Sequence, residues 1–224
     1  MSNISTLNPA AEKFISRWKA SGASERANYQ LFLTELSELL GVERPRPATD
    51  KVHEATYNFE RPVDFNDGEG KITTNFIDLY KQHCFVLEAK QGSDKAVITE
   101  AELLGADRAK TKTGTATRDT RTWEREMKKA KEQALRYARS LPVAEGWPPF
   151  LVVVDVGFCI DLYSDFARQG KTYIPFPDPV SYRIQLADLA KEETQQRLRL
   201  LFTDPLELDP SRRAAKVTRE LAER

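Results

Sequence analysis

The stretch DLYKQHCFVLEAK, Asp78 to Lys90, ends a run as apolar as Cys84-Phe85-Val86-Leu87 with two charges of opposite sign, Glu88 and Lys90. In an extended strand alternate residues share a face, so Cys84, Val86, Glu88 and Lys90 point one way and Phe85, Leu87 and Ala89 the other. Both faces begin apolar, as in a central strand, and one turns charged at its end. Burying a lone carboxylate is costly, and pairing it with a lysine roughly breaks even, so stability explains the arrangement poorly. Asp78 closes a second apolar stretch, Phe76-Ile77, across a predicted hairpin, and brings another carboxylate to the same sheet edge. Two carboxylates, a substrate phosphate and retained waters are what magnesium prefers, because it wants octahedral oxygen ligands and dehydrates reluctantly. The backbone carbonyl of Ala89 can complete the protein's share of that ligand set. Lys90 then serves as a point charge that orients an attacking water and stabilises charge developing on phosphorus.

Glu-x-Lys on its own carries little information, since the chain contains it three times. Glu69-Gly70-Lys71 lies in a turn-like stretch and Glu126-Met127-Lys128 in a charged helix, where both reduce to solvated side chains. Only Glu88-Ala89-Lys90 follows an apolar run. The two histidines, His53 and His83, and the two cysteines, Cys84 and Cys159, do not supply a zinc site. His83 and Cys84 are adjacent on a strand and face opposite ways, which excludes a paired nucleophile. Both cysteines sit in apolar runs, as small hydrophobes do.

The elements that must position these groups are legible from periodicity. Phe14, Ile15 and Trp18 recur at helical spacing over Pro9 to Lys19. A second helix, with Ser24 as a candidate N-cap, carries Tyr29, Phe32, Leu33, Leu36, Leu39 and Leu40 along one face and ends at Gly41. Its polar residues Gln30, Glu35 and Glu38 are weaker candidates for the metal region. Val52 to Phe59 reads as a strand and DFNDGEG as a turn. Ile72 to Tyr80 and Cys84 to Lys90 read as an antiparallel hairpin around Lys81-Gln82-His83. Ser93 to Thr120 is rich in Thr, Gly, Lys and Arg, with a helical trace near Thr99 to Leu104, and TKTGTATRDTRT, Thr111 to Thr122, lacks apolar periodicity and reads as a mobile loop. Trp123 to Ser140 suits a helix with Trp123, Met127, Ala130, Ala134, Leu135, Tyr137 and Ala138 facing inward. FLVVV, Phe150 to Val154, is the most hydrophobic segment and reads as a central strand, with Phe158 to Tyr163 returning as its partner. A proline-punctuated stretch, a helix over Leu186 to Phe202 and a last amphipathic segment, AAKVTRELAER, complete the chain.

The 224 residues, 40% hydrophobic and 30% charged, are those of a soluble globular protein. Without a membrane-length apolar run or a signal-peptide pattern, the expected location is cytoplasmic, with no membrane partner. Lysine plus arginine equals aspartate plus glutamate at 34 each, yet the charge is unevenly spread. Arg108 to Arg139 holds eleven cations against four acids, while Ser24 to Leu40 holds three glutamates and one arginine. Local clustering of this kind is what a phosphate backbone feels, and it nominates Lys110, Lys112, Arg118, Arg121, Arg125, Lys128 and Lys129 as contacts to DNA.

The Asp-x9-Glu-x-Lys spacing resembles the PD-(D/E)xK nuclease superfamily. ERANYQLFLTELSELLGV, DLYKQHCFVLEAKQG, a Gln133-Ala134-Leu135-Arg136-Tyr137 pair like the superfamily's Gln-xxx-Tyr motif, and FLVVVDVGFCIDLYSDF, in that order, resemble the N-terminal nuclease domain of MmeI-like restriction-modification enzymes. The resemblance covers residues 10 to 224. It implies an α/β fold with a restriction-endonuclease-like core, a mixed central sheet flanked by helices. It also implies a nuclease domain over 1–180 (N-terminal helices 9–40, core 52–163) and a helical extension over 181–224 that begins a connector to further domains. The implied activity is Mg2+-dependent cleavage of double-stranded DNA, with Mn2+ substituting, in a restriction-modification or phage-defence enzyme. Asp78, Glu88 and Ala89 would hold the metal, Lys90 would assist catalysis, and Gln133 and Tyr137 would shape the site. Sequence recognition and methylation would come from target-recognition and methyltransferase domains in cis or in trans. S-adenosylmethionine would bind only there, and a dimer would serve double-strand cleavage. Two departures stand out: Ile77 replaces the motif's proline, and a long basic insertion, 93–121, follows Lys90. The alternative is a non-catalytic DNA-binding or scaffolding domain that keeps the fold.

Overall fold

The structure is a computed structural model and describes residues 8–20, 25–47, 56–66, 70, 72–93 and 116–222. Ser24, much of the 93–121 insertion with Lys110 and Lys112, and the first part of the strand expected over Val52 to Phe59 lie outside the described residues.

The chain opens with α1 (Pro9–Lys19), where the Asn8 side chain accepts from the Ala10 amide at 3.1 Å and Pro9 takes a first-turn position that needs no donor. α2 (Glu25–Leu40) ends at Gly41, whose φ of +67° suits a residue without a Cβ. Among the described residues seven strands follow: β1 (Tyr57–Asn66), β2 (Ile72–Lys81), β3 (Phe85–Lys90), β4 (Phe150–Asp155), β5 (Cys159–Ser164), β6 (Ile174–Pro175) and β7 (Arg183–Gln185). Helix α3 (Arg121–Ser140) connects β3 to β4, and α4 (Glu192–Thr203) and α5 (Pro210–Ala222) close the chain.

The sheet runs β1-β2-β3-β4-β5-β6, with β7 also pairing β5. β3 and β4 are parallel, as the α3 crossover requires, and the other pairs are antiparallel, so the sheet is mixed. This α/β sheet between helices is consistent with a restriction-endonuclease-like core. Both hairpins expected from sequence form, β2–β3 and β4–β5. β4 and β5 are buried along their whole length, as is β3 up to Lys90.

Two apolar layers sandwich the sheet. On one side Phe85, Leu87, Ala89, Phe150, Val152 and Val154 pack against Phe14, Trp18, Phe32, Leu33 and Leu36 of α1 and α2 and Leu198, Leu201 and Phe202 of α4. On the other, Val86, Leu151, Val153 and Tyr163 meet Trp123, Met127, Ala130, Ala134, Tyr137 and Ala138 of α3. The α3 face expected from sequence is therefore the face buried, except that Leu135 is only partly covered. No helix among the described residues is long and apolar enough to cross a membrane.

Two expectations change. The strand expected to end at Phe59 begins at Tyr57 and runs to Asn66, so Asp64 to Asn66 of the supposed turn are strand. The helix expected over Leu186 to Phe202 breaks at Lys191: Leu186–Ala190 is a 3-10 turn, and α4 starts afterwards. β7 joins the sheet, and Leu186, Leu189, Leu198 and Phe202 belong to the main core.

Candidate active site

β2 pairs with β3 only over Leu79–Lys81. One step beyond the last pair, Asp78 stands opposite Glu88, and from there back to Ile72 the strand pairs with β1 alone. The parting of the strands leaves the amide of Ala89 without a ladder partner, and the Asp78 carboxylate takes it: Ala89 N donates to Asp78 Oδ2 at 2.7 Å. Lys90 Nζ donates to Glu88 Oε1 at 2.6 Å, with Glu88 almost fully buried and Lys90 partly open to solvent. Asp78, Glu88, Ala89 and Lys90 thus converge at one opening in the sheet, as the hairpin reading anticipated. They line a cleft of about 320 Å³ together with Tyr29, Glu60, Thr74, Asn75 and Phe76.

The opening has a cause in the backbone of the β1–β2 hairpin. Glu60, opposite Asp78 in that hairpin, has φ +52°, a left-handed conformation unusual for a residue with a Cβ. On one side of it Phe59 and Leu79 belong to the layer under α1 and α2; on the other, Val63 and Ile77 belong to the layer under α3. The hairpin therefore changes face at Glu60 and Asp78, and the change peels β2 away from β3. The same local twist turns both carboxylates toward the cleft.

Tyr29 of α2 donates its hydroxyl to Glu60 Oε1, and Gln30 Nε2 donates to the Tyr29 oxygen at 3.1 Å. Burial raises the Tyr29 phenol above its ordinary value; the Gln30 bond opposes this, while Glu60 and Asp78 reinforce it, so the hydroxyl remains a donor. Sequence reasoning missed Tyr29 and Glu60. Tyr29 fits the apolar stripe of α2, and Glu60 carries no signal except its place between Phe59 and Arg61-Pro62. Of the three α2 candidates, Gln30 reaches the cleft wall through Tyr29. Glu35 instead accepts from the Trp18 indole at 2.8 Å and pairs with Arg17, and Glu38 pairs with Arg44.

Gln133 and Tyr137 do not line the cleft. They stand on the buried side of α3, with Gln133 Nε2 donating to Tyr137 Oη at 2.8 Å and the Tyr137 ring stacked on Phe65 at 5.7 Å. The Tyr137 phenol is raised chiefly by burial, against the Gln133 bond; Glu88 and Asp78 add to the rise and Lys90 opposes it. Tyr137 is therefore within electrostatic reach of all three cleft charges.

The cations divide. Arg121, Arg125, Lys128 and Lys129 are exposed on α3, and the first three line an open groove with Asp119, Thr120 and Glu124. Lys90 and Glu126 of α3 line one small pocket, and the Glu126 carboxyl is held below its usual range first by a hydrogen bond from Lys129, with Arg125 and Lys90 contributing. Arg118 is a correction. It is buried, and its guanidinium is bound to Asp155 and to the Val156 carbonyl at 2.8 Å, so it is no part of the exposed basic surface. Charge within a loop reads as solvated in a sequence because its buried counter-ion, 37 residues on, gives no local sign.

Among the described residues no group of three or more His, Cys, Asp or Glu stands close enough to hold a metal ion. The two carboxylates and the Ala89 backbone form a sparser oxygen set, of the sort that suits magnesium, which keeps waters and shares its shell with a phosphate.

Residues 9–224 match the family model described as MmeI, N-terminal domain. The chain belongs to the MmeI N-terminal domain family. No curated protein and no solved structure matches it. The family is the one that the ordered motifs resemble, and of those motifs the Asp78, Glu88 and Lys90 set is the one found at the parting of β2 and β3.

Proposed function

We propose that this MmeI N-terminal domain is a Mg2+-dependent DNA endonuclease module of a restriction-modification system. The observation that carries it is the convergence of Asp78, Glu88 and Lys90 on one solvent-open cleft at the rim of a sheet. Asp78, Glu88 and the Ala89 carbonyl would hold the ion, with Mn2+ an acceptable substitute. When bound, it supplies Lewis-acid polarisation of the phosphoryl oxygens and a lowered pKa for attacking water.

The chain's own residues have separable tasks. The Lys90 ammonium, anchored on Glu88, places a fixed positive charge where negative charge builds as water attacks phosphorus, and its preorganisation avoids a reorganisation cost during the reaction. Asp78 bonds the Ala89 amide and so fixes the main chain between Glu88 and Lys90. Tyr137, held by Gln133, stands outside the cleft and would act on it only through its electrostatic coupling to Asp78, Glu88 and Lys90. Arg121, Arg125, Lys128 and Lys129 would track the phosphate backbone, a contact that positions DNA without reading sequence. Target recognition, methylation and a dimeric partner for the second strand belong to domains in cis or in trans.

The test is cleavage of duplex DNA with Mg2+ or Mn2+ by wild type, Asp78→Ala and Lys90→Ala, each checked by far-ultraviolet circular dichroism. Loss of metal-dependent cleavage with unchanged dichroism is the expected result. Collapse of the fold in either variant would instead make the Glu88–Lys90 pair a structural salt bridge. DNA binding that persists without a divalent ion, and without cleavage by the complete enzyme, would favour a non-catalytic binding domain.

A further inference from the structure

The β1–β2 hairpin continues past its contact with β3 as a two-stranded arm, since residues 72–77 pair with β1 from Asn66–Ile72 to Arg61–Ile77 but not with β3. The arm is stiffened by the Thr74 hydroxyl, which donates to Asp64 Oδ1 at 2.7 Å, and on its inner side Val63, Phe65 and Ile77 join the layer under α3. Phe76 does not join that layer. Its side chain is 51% exposed, and it lines the same cleft as Asp78. A single exposed aromatic needs no explanation in general. This one sits at the mouth of a cleft otherwise walled by Tyr29, Glu60, Thr74, Asn75, Asp78, Glu88 and Lys90, most of them polar.

We propose that Phe76 is a base-contacting residue: it packs against a nucleobase flanking the phosphodiester held at Asp78, Glu88 and Lys90, and so sets the position of the strand being cut. The proposal rests on the nuclease reading above. Two residues along a strand separate Phe76 from Asp78 by roughly 7 Å, about two base steps at the axial spacing of a DNA strand. A phosphate seated among the cleft charges therefore brings a base within about two steps of it to the ring. Charge supports the same occupant: Lys90 shares a small pocket with Glu126 of α3, which in turn pairs with the exposed Arg125 and Lys129, so cations able to attract a polyanion belong to the helix that borders Lys90. An aromatic face accepts any base, so the contact would position DNA without choosing a sequence, as base–aromatic stacking does in single-strand-binding grooves.

The experiment compares cleavage of duplex DNA by wild type, Phe76→Ala, Phe76→Leu and Phe76→Trp, with binding followed by fluorescence of 2-aminopurine placed along the duplex. Because Phe76 is exposed on a paired strand, none of these substitutions is expected to disturb folding, which circular dichroism checks. Phe76→Ala is expected to lower kcat/KM about 10-fold, Phe76→Leu by a similar factor, and Phe76→Trp little. Loss of the 2-aminopurine signal in the Ala variant alone identifies the base contact. Cleavage by Phe76→Ala equal to that of wild type overturns the proposal and leaves the nuclease reading standing. If the complete enzyme carrying the wild-type domain cuts nothing, the nuclease reading falls, and Phe76 is judged by 2-aminopurine alone: equal signals from wild type and Phe76→Ala overturn it too.

Discussion

Asp155→Ala is the perturbation that most directly tests how the site is held. Asp155 is fully buried at the end of β4, beside Lys90 in the parallel register, and Val156 N donates to the Lys90 carbonyl at 2.9 Å. Its carboxylate accepts from Gly92 N at 3.0 Å, Arg118 Nε at 3.2 Å, an Arg118 terminal nitrogen at 2.8 Å and the Trp123 indole at 2.7 Å. It thereby ties the chain leaving Lys90 to the chain entering α3. The Arg118 guanidinium also lies over the Phe158 ring at 4.8 Å. Truncating the acid leaves a buried guanidinium uncompensated, for which about 3–5 kcal/mol is the expected loss. Replacing both partners, as in Asp155→Leu with Arg118→Met, removes the desolvation cost along with the attraction, and is expected to recover most of that loss. Urea denaturation of both single variants and the double variant, followed by Trp fluorescence, measures the coupling. At temperatures where Asp155→Ala is still folded, cleavage should fall as well, since Lys90 has lost the anchor of its neighbouring backbone. A loss below about 1 kcal/mol for Asp155→Ala would refute the reasoning, as would a double variant no more stable than the single one. Gly92→Ala offers an independent check, because a Cβ there would stand 2.7 Å from Asp155 Oδ2 and 2.8 Å from Arg118 Cγ.

Two further outcomes are expected. Arg125→Gln with Lys128→Gln is expected to weaken binding to any duplex and to flatten the dependence of log K on log salt by about two phosphate contacts; an unchanged slope would remove α3 from the DNA path. Burial pushes the Cys84 thiol from 9.0 up to about 11, opposed by Lys81. Because its folded value is the higher, its contribution is complete below pH 9.0 and is lost as pH rises toward about 11, on the order of 2 kcal/mol. Thermal melts of wild type and Cys84→Ala across that range are expected to show a shallower alkaline decline in the variant.

What could be read from the chain, and what could not, follows from where the determining contacts lie in sequence. β3, β4 and the inner face of α3 were legible because a buried strand or stripe is written in consecutive residues: FVLEAK, FLVVVD, and Trp123, Met127, Ala130 and Ala134 at helical spacing. The Asp78–Glu88–Lys90 convergence was legible for a related reason, since a tight hairpin converts sequence separation directly into register. β1 was misjudged because Glu60 to Pro62 interrupts its alternation. The residues that make this tolerable are distant: Arg61 is buried against Glu145, 84 positions on, and covers the Tyr80 ring at 4.7 Å.

That interruption is also what creates the site. Had β1 kept a regular extended backbone through Glu60, β2 would have continued its ladder along β3 past Leu79, and the Ala89 amide would have bonded to a strand carbonyl instead of to Asp78. Glu88 would then have been an acid buried in a continuous sheet, a placement that costs stability and gives no access to substrate. The left-handed turn at Glu60 exchanges a few ladder bonds for an opening, and the opening lets a carboxylate and an ammonium stand at the end of an apolar strand with solvent on one side. The charged ending of FVLEAK and the irregular NFERP segment are thus two halves of one device. Only the first half leaves a pattern that spacing reveals.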